Sequence, residues 1–295
     1  LSEFRAQNRG GVGSRGSNTR EEDFIEYIYP ASMHNNLLFF TQKGLVYKMK
    51  VYELPEGAKN TKGRAIQNLL NIEPGDTVNA FIRIKNLEDA EFTGSHNLIF
   101  ATRLGVIKKT SLAEYARINI KGKKAIVLRD DDRLIGVELT DGNCEILMAN
   151  RNGRAIRFNE STVRTMGRVA TGVRGMKLDG GNDEVIGMIC MHPDDNHNVM
   201  VVSENGYGKR SLLDDYRITN RGGKGVKTMN VTEKTGTLVA IKSVSDENDL
   251  VIINRSGITL RVRMTDIRVM GRATQGVRII NLEKRGDEIA SVCCV

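Results

Sequence analysis

The chain has 295 residues, 40% hydrophobic and 27% charged, with 44 Lys and Arg against 36 Asp and Glu for a net charge of +8. That composition belongs to a folded globular protein and excludes global disorder. Its longest apolar runs are far too short for a bilayer span, no secretory leader is expected at its start, and the basic balance is compatible with a polyanionic partner.

In chain order, residues 1–15 open with an acidic–apolar pair, Glu3-Phe4. A glycine-rich segment follows, Gln7, Asn8, Arg9, Gly10, Gly11, Val12 and Gly13, and then Arg15. Paired glycines admit positive φ and let backbone N–H groups approach an oxyanion, with Arg9 beside them to grip it. A blade connector that needs glycine for geometry alone explains the same residues. No GKS or GKT follows, so the segment is not a nucleotide P-loop.

Five hairpin patterns come next: LLFFTQKGLVYK, LIFATRLGVIKK, EILMANRNGRAIR, VMVVSENGYGKR and LVIINRSGITLR, turning at Gly44, Gly105, Gly153, Gly206 and Gly257. Asn152-Gly153 and Asn205-Gly206 are strong hairpin signals because both residue types tolerate positive φ. A second glycine follows each turn, at Gly63, Gly122, Gly172, Gly225 and Gly276, and Gly13 is a sixth member of that set. Short apolar runs bounded by Gly, Asn and Asp, with no helical stripe, predict about four strands per unit of roughly 50 residues. That is an all-β, propeller-like ring, since one such unit cannot bury its own faces. The expected organisation is one domain with repeats near 1–34, 35–95, 96–142, 143–196, 197–247 and 248–295, the first unit lacking its hairpin.

Basic residues share the period. Four places after the first glycine stand Lys48, Lys109, Arg157, Arg210 and Arg261. Beside or two places after the second glycine stand Arg15, Arg64, Lys124, Arg174, Lys227 and Arg278. Equivalent positions in a ring lie at one radius and height, so both series predict a basic belt; charges that protect strand edges explain Lys and Arg there but not why the acids stand in the other half of the unit. A second glycine-rich copy, Asn220, Arg221, Gly222, Gly223, Lys224 and Gly225, sits at the place of the first. A belt with few aromatics and no Trp suits the phosphates of bent duplex DNA better than stacked single strands.

The remaining chemistry is sparse. His192 and His197 share an acidic loop with Asp194 and Asp195, read as a solvated turn, and no metal site is expected. Cys144, Cys190, Cys293 and Cys294 lack zinc or disulfide spacing, which fits reduced thiols in a cytoplasmic protein. A propeller hydrolase needs acids and histidines converging on the axis, which four scattered histidines do not supply. A scaffold for protein partners needs apolar patches in place of a periodic basic rim.

The first glycine box, EEDFI (21–25), KGLVYKMKVYELPE (43–56), TGVRGMKL (171–178), ENGYGKR (204–210) and GRATQGVRIINL (271–282) together resemble the C-terminal domain family of DNA gyrase A subunits, over essentially the whole chain. The family box is Q-R-R-G-G-K-G, and here Asn8 and Val12 each replace a basic residue. The resemblance implies a six-bladed β-pinwheel, its first blade truncated here, that wraps duplex DNA with a positive sense around a basic rim so that the whole enzyme introduces negative supercoils. It also implies that the catalytic tyrosine lies in another part of the gyrase A chain and that ATP with Mg2+ is used by the gyrase B chain. The domain itself is then a monomer without catalytic residues or cofactor, partnered by DNA and by the other parts of an A2B2 enzyme. The corresponding domain of topoisomerase IV is the nearest alternative.

Overall fold

The computed structural model describes residues 5–15, 28–58, 61–282 and 286–295. The Glu3-Phe4 pair and the segment at 21–25 lie outside them.

Two short strands come first, β1 (Ala6–Gln7) and β2 (Ser14–Arg15). The hairpin of β3 (Asn36–Thr41) and β4 (Leu45–Lys50) follows, with β5 (Val78–Ile84) added to β3. A single helical turn and a half, α1 (Ala90–Ser95), is capped by the Asp89 side chain, which accepts from the Glu91 and Phe92 backbone N–H groups. The pattern of β6 (Asn97–Thr102), β7 (Val106–Ser111), β8 (Lys123–Lys124) and β9 (Leu134–Thr140) then recurs. Its next copy is β10 (Glu145–Asn150), β11 (Arg154–Asn159), β12 (Val173–Arg174) and β13 (Val185–Met191). The fourth is β14 (Asn198–Ser203), β15 (Tyr207–Leu212), β16 (Val226–Lys227) and β17 (Leu238–Val244). The last is β18 (Asp249–Asn254), β19 (Ile258–Arg263), β20 (Val277–Arg278) and β21 (Ile289–Cys294).

No blade is made by one repeat alone. The outer strand of each sheet comes from the next repeat: β8 pairs with β4, β12 with β7, β16 with β11 and β20 with β15. The last sheet takes β2, antiparallel to β19, with β1 parallel to the same strand. The result corrects the expected six blades: the described residues form five sheets, four of four strands and one of five. The half-unit at the chain start does not begin a truncated first blade. Its strands finish the fifth, because β19 otherwise exposes an unpaired edge.

The hairpin glycines explain the lock between repeats. Gly105 has φ +87°, and a Cβ there would come 2.5 Å from the Met176 carbonyl oxygen. The Gly105 carbonyl accepts from the Gly175 and Met176 N–H groups, 2.8 and 3.1 Å away. Gly44, Gly153 and Gly206 each accept two such bonds from the incoming segment. Only a residue without Cβ turns the hairpin and admits the neighbour's backbone at that distance. Gly63 differs: its φ is not positive and a Cβ would meet nothing within 4 Å, which fits its connector having no hairpin to dock on among the described residues.

Successive sheets pack face to face, which is why a strand such as β10, covered by the second sheet on one side and the fourth on the other, is buried along its whole length and reads as a continuous apolar run rather than an alternating one. The cores lie between sheets. Phe40 of the first meets Phe100 of the second edge-on at 5.6 Å, and Met200 and Val202 of the fourth share a cluster with Leu250 and Ile252 of the fifth. The longer first repeat serves the free face of the first sheet, where Leu70 and Ile72 cover Leu37, Phe39, Tyr47 and Met49. Between the fifth and first sheets, Ile28 packs on Val251 and Ile253, and Tyr29 meets Phe81 edge-on at 4.8 Å. The inner strands β5, β9, β13, β17 and β21, with Ile28 and Tyr29, line one central channel of about 560 Å³.

Removing residues 1–15 uncovers β19. Hydrogen exchange is expected to accelerate at the outward-facing amides of β19 while β15, covered by β20, stays protected. Equal protection of both strands would show that β1 and β2 do not finish the fifth blade.

Candidate nucleic-acid interface

The two periodic basic series land in different places. The second series occupies the exchanged outer strands. Lys124 pairs in register with Leu45, Arg174 with Val106, Lys227 with Arg154, Arg278 with Tyr207 and Arg15 with Ile258. In every sheet the cation therefore lies opposite the residue that follows the hairpin glycine, at one height around the ring. The Lys124, Arg174 and Lys227 side chains are exposed. Arg278 is half-buried, its guanidinium 5.6 Å over the Tyr207 ring and donating to the Tyr207 hydroxyl at 3.1 Å. Arg64 is exposed but lies on no strand.

The first series is mostly interior. Lys109, Arg157 and Arg210 are each only 7% exposed, Arg261 is partly buried, and Lys48 alone is exposed. Arg157 pairs with Glu145 at 2.5 Å and donates to the Leu213 and Tyr216 carbonyls at 3.1 and 2.8 Å. Arg210 meets Asp246 at 2.6 Å, Arg261 meets Asp249 at 2.5 Å, and Lys109 donates to the Glu160 carbonyl at 3.0 Å. The physical reason is the corner after each middle strand. A 3-10 turn leaves carbonyls without intrahelical partners, and the next repeat's corner runs alongside this strand, bridging Lys109 to Thr165, Arg157 to Ile218 and Arg210 to Val269. A cation at that position ties the corner to its own blade. The period is real, but Lys109, Arg157 and Arg210 are enclosed and carboxylate-paired, so they do not form the belt expected of them.

Two further series escape a reading by net charge. Four places before the second glycine stand Arg9, Arg168, Arg221 and Arg272. Arg221 donates to the Thr162 and Arg174 carbonyls, both at 3.0 Å, and Arg272 to the Asp215 carbonyl at 3.0 Å and to Lys227. Arg168 donates to the Lys124 carbonyl. Each of these three guanidinium groups thus clamps the backbone of a rim cation. Eight places before the second glycine stand Arg5, Arg164, Arg217 and Arg268, all exposed on the corner connectors. Their common offset from the glycine was a legible signal.

The glycine boxes are connectors before they are anion sites. In the second, the Gly222 N–H donates to the Gly175 carbonyl at 2.7 Å, the Gly223 carbonyl accepts from Lys177 at 2.9 Å, and Gly225, with φ +73°, would put a Cβ 2.2 Å from the Ala155 carbonyl oxygen. Asn220 is exposed, and Lys224 is half-exposed and pairs with Asp179 at 3.0 Å. In the first box Gly10 donates to the Ile279 carbonyl, Gly11 accepts from Asn281 at 3.1 Å, Gly13 would put a Cβ 2.6 Å from the Ile258 side chain, and Gln7 lies on β1. Asn8 and Arg9 are exposed, and Val12 is half-buried.

Beneath the connectors lie two buried lysines. Lys108 donates to the Ala125 carbonyl at 2.6 Å and the Arg168 carbonyl at 2.5 Å, and Lys209 to the Gly271 carbonyl at 2.9 Å and to Arg272. Burial, seconded by the Arg168 charge, pushes Lys108 down to about 7, and burial with Arg272 does the same to Lys209. Both side chains are fully buried, so neither reaches the rim.

Comparison with known proteins follows the same architecture. The model of a family described as DNA gyrase C-terminal domain, beta-propeller, matches residues 1–32, 35–85, 96–141, 145–190, 197–245 and 248–294. The DNA gyrase A subunits of Staphylococcus aureus strains NCTC 8325 and MRSA252 are each 46% identical over 282 residues, which is 96% of this chain and 31% of theirs. The chain thus spans about a third of the length of these relatives. A solved DNA gyrase A C-terminal domain superposes with a TM-score of 0.81 at 22% identity, covering 99% of this chain and 93% of that one. The C-terminal domain of a DNA topoisomerase IV superposes at 0.77 with 26% identity, covering 89% and 80%.

Replacing Arg157 by Ala leaves Glu145 buried without its partner, a loss of about 3–5 kcal/mol for a broken buried pair. Thermal unfolding should show a large fall in midpoint for Arg157→Ala and almost none for Lys124→Ala. Equal midpoints would contradict the assignment of Arg157 to the interior.

Proposed function

The chain belongs to the DNA gyrase C-terminal domain family, and from that premise we propose that it bends duplex DNA around its rim as a non-catalytic wrapping module of a type IIA topoisomerase. The observation that carries the reading is the in-register row of cations on the exchanged strands, Arg15, Lys124, Arg174, Lys227 and Arg278. Exposed Arg5, Arg164, Arg217 and Arg268 on the corner connectors extend that row, and Arg9 and Lys224 supply further charge at the two boxes.

Such a surface reads phosphates, not bases. Cations repeated at one height match a backbone that curves past successive blades, and bending the duplex costs on the order of several kcal/mol. Roughly eight phosphate contacts offset that cost and give a salt slope of about −7 in log affinity against log salt. The inner cations contribute indirectly by fixing the corners from which the rim projects. In the complete enzyme this module acts beside the other parts of the gyrase A chain and beside the gyrase B chain, and its wrap is what lets the whole enzyme introduce negative supercoils into the DNA.

The test is binding to linear duplex DNA across a salt series, with linking number measured after ligation in the presence of a relaxing enzyme. The parent chain should bind with a steep salt dependence and shift the linking number. Lys124→Glu, Arg174→Glu and Lys227→Glu together should remove the shift and flatten the slope by about 3, with the circular dichroism spectrum unchanged. Salt-independent binding, or a triple variant that still shifts topology, would sink the reading.

A further inference from the structure

Asp141, Cys144 and His192 converge where the second sheet passes into the third. Asp141 follows β9, Cys144 immediately precedes β10 and His192 immediately follows β13. Because Glu145 pairs with Met191 in antiparallel register, Cys144 and His192 are the next opposed pair beyond the strand ends, and the two-residue link of Gly142 and Asn143 brings Asp141 back onto them. The Cys144 sulfur lies 3.7 Å from His192 Nε2 and 3.7 Å from Asp141 Oδ1, and His192 Nε2 lies 3.3 Å from Asp141 Oδ2. The thiol is buried, whereas the His192 and Asp141 side chains are 41% and 39% exposed. Asp194 and Asp195, the acids nearest His192 in sequence, are not in the cluster.

Two other readings fit less well. A nucleophilic Cys–His–Asp arrangement needs the thiol on one ring nitrogen and the carboxylate on the other, but here both face Nε2. As a plain hydrogen-bond cluster, a single Nε2 serves two partners at once and satisfies only one of them well. A metal ion takes all three donors together. Tetrahedral zinc, with Zn–S about 2.3 Å and Zn–N and Zn–O about 2.0–2.2 Å, sets its ligands about 3.4–3.6 Å apart, close to the separations found. The surrounding bonds hold the donors in place: the Asn143 N–H donates to Asp141 Oδ1 at 3.0 Å, and the Cys144 N–H to Glu160 Oε2 at 2.9 Å.

The geometry points to a divalent transition-metal site, best suited to zinc, formed by the Cys144 thiolate, His192 Nε2 and the Asp141 carboxylate, with solvent as fourth ligand, stapling the joint between the second and third blades. A thiolate with imidazole and carboxylate selects zinc over magnesium or calcium, which prefer oxygen donors alone. On binding, the ion displaces the thiol proton to solvent and a Zn–S bond forms, with no change of oxidation state. This departs from the solvated turn that the sequence suggests for His192.

Cobalt(II) titrated into the reduced chain is the direct probe. One equivalent should give the thiolate-to-cobalt charge-transfer absorption and tetrahedral d–d bands, and zinc should displace it. Cys144→Ser and His192→Ala should each weaken zinc binding about 100-fold or more and remove the bands. His192→Ala alters a partly exposed side chain, so it remains informative if Cys144→Ser fails to fold. A variant with Cys190, Cys293 and Cys294 all changed to Ser should keep the bands. Absence of thiolate absorption in the parent chain, bands that survive His192→Ala, or bands lost in the triple serine variant would overturn the site.

Discussion

Each blade is completed by a strand it does not encode, and the close approach of that strand to the hairpin glycine is the contact on which the remaining architecture depends. The carbonyls of Gly44, Gly105, Gly153 and Gly206 each take two N–H groups from the incoming segment. The exchange covers what would be an open sheet edge in every blade, and it links neighbouring repeats through backbone bonds as well as through apolar contact. It also decides where the outermost cations stand, since the residue that finishes a neighbour's sheet is the residue that reaches the rim.

Charge is divided accordingly. The middle-strand cations are neutralised where they stand, Arg157 by Glu145, Arg210 by Asp246 and Arg261 by Asp249, and their work is to hold corner carbonyls and neighbouring turns. The connector arginines Arg168, Arg221 and Arg272 spend their donors on the backbone of the next rim strand. What faces solvent is the outer row and the corner arginines. The net charge of +8 does not show this distribution, in which the cations of the outer strands share one height.

Much of this was legible in the residues. The first glycine period located the five hairpins, and in the second Gly13, Gly122, Gly172, Gly225 and Gly276 each stand just before an exchanged strand, where positive φ and a close backbone approach favour glycine; Gly63 shares the period without that role. The rim series was legible for the same reason, standing two residues past a glycine whose role is fixed. The middle-strand series was equally periodic and was misread, because period reports equivalence between blades and says nothing about which way a side chain faces. The facing followed from the 3-10 corner of the adjoining repeat, which no single repeat displays. The count of blades failed through strand exchange: a half-unit reads as the start of a sixth blade when its strands finish the fifth. The metal-ligand cluster was illegible because Asp141 and His192 lie 51 residues apart in number and meet only through the register of β10 and β13.

The most direct test of the division between rim and interior is amine labelling of the native chain with and without duplex DNA, read residue by residue by mass spectrometry. Lys124 and Lys227 should react freely in the unbound chain and become protected on DNA, while Lys109, Lys108 and Lys209 stay unreactive in both states. Equal labelling of Lys124 and Lys227 with and without bound DNA, or DNA-dependent protection centred on Lys109, would contradict the account.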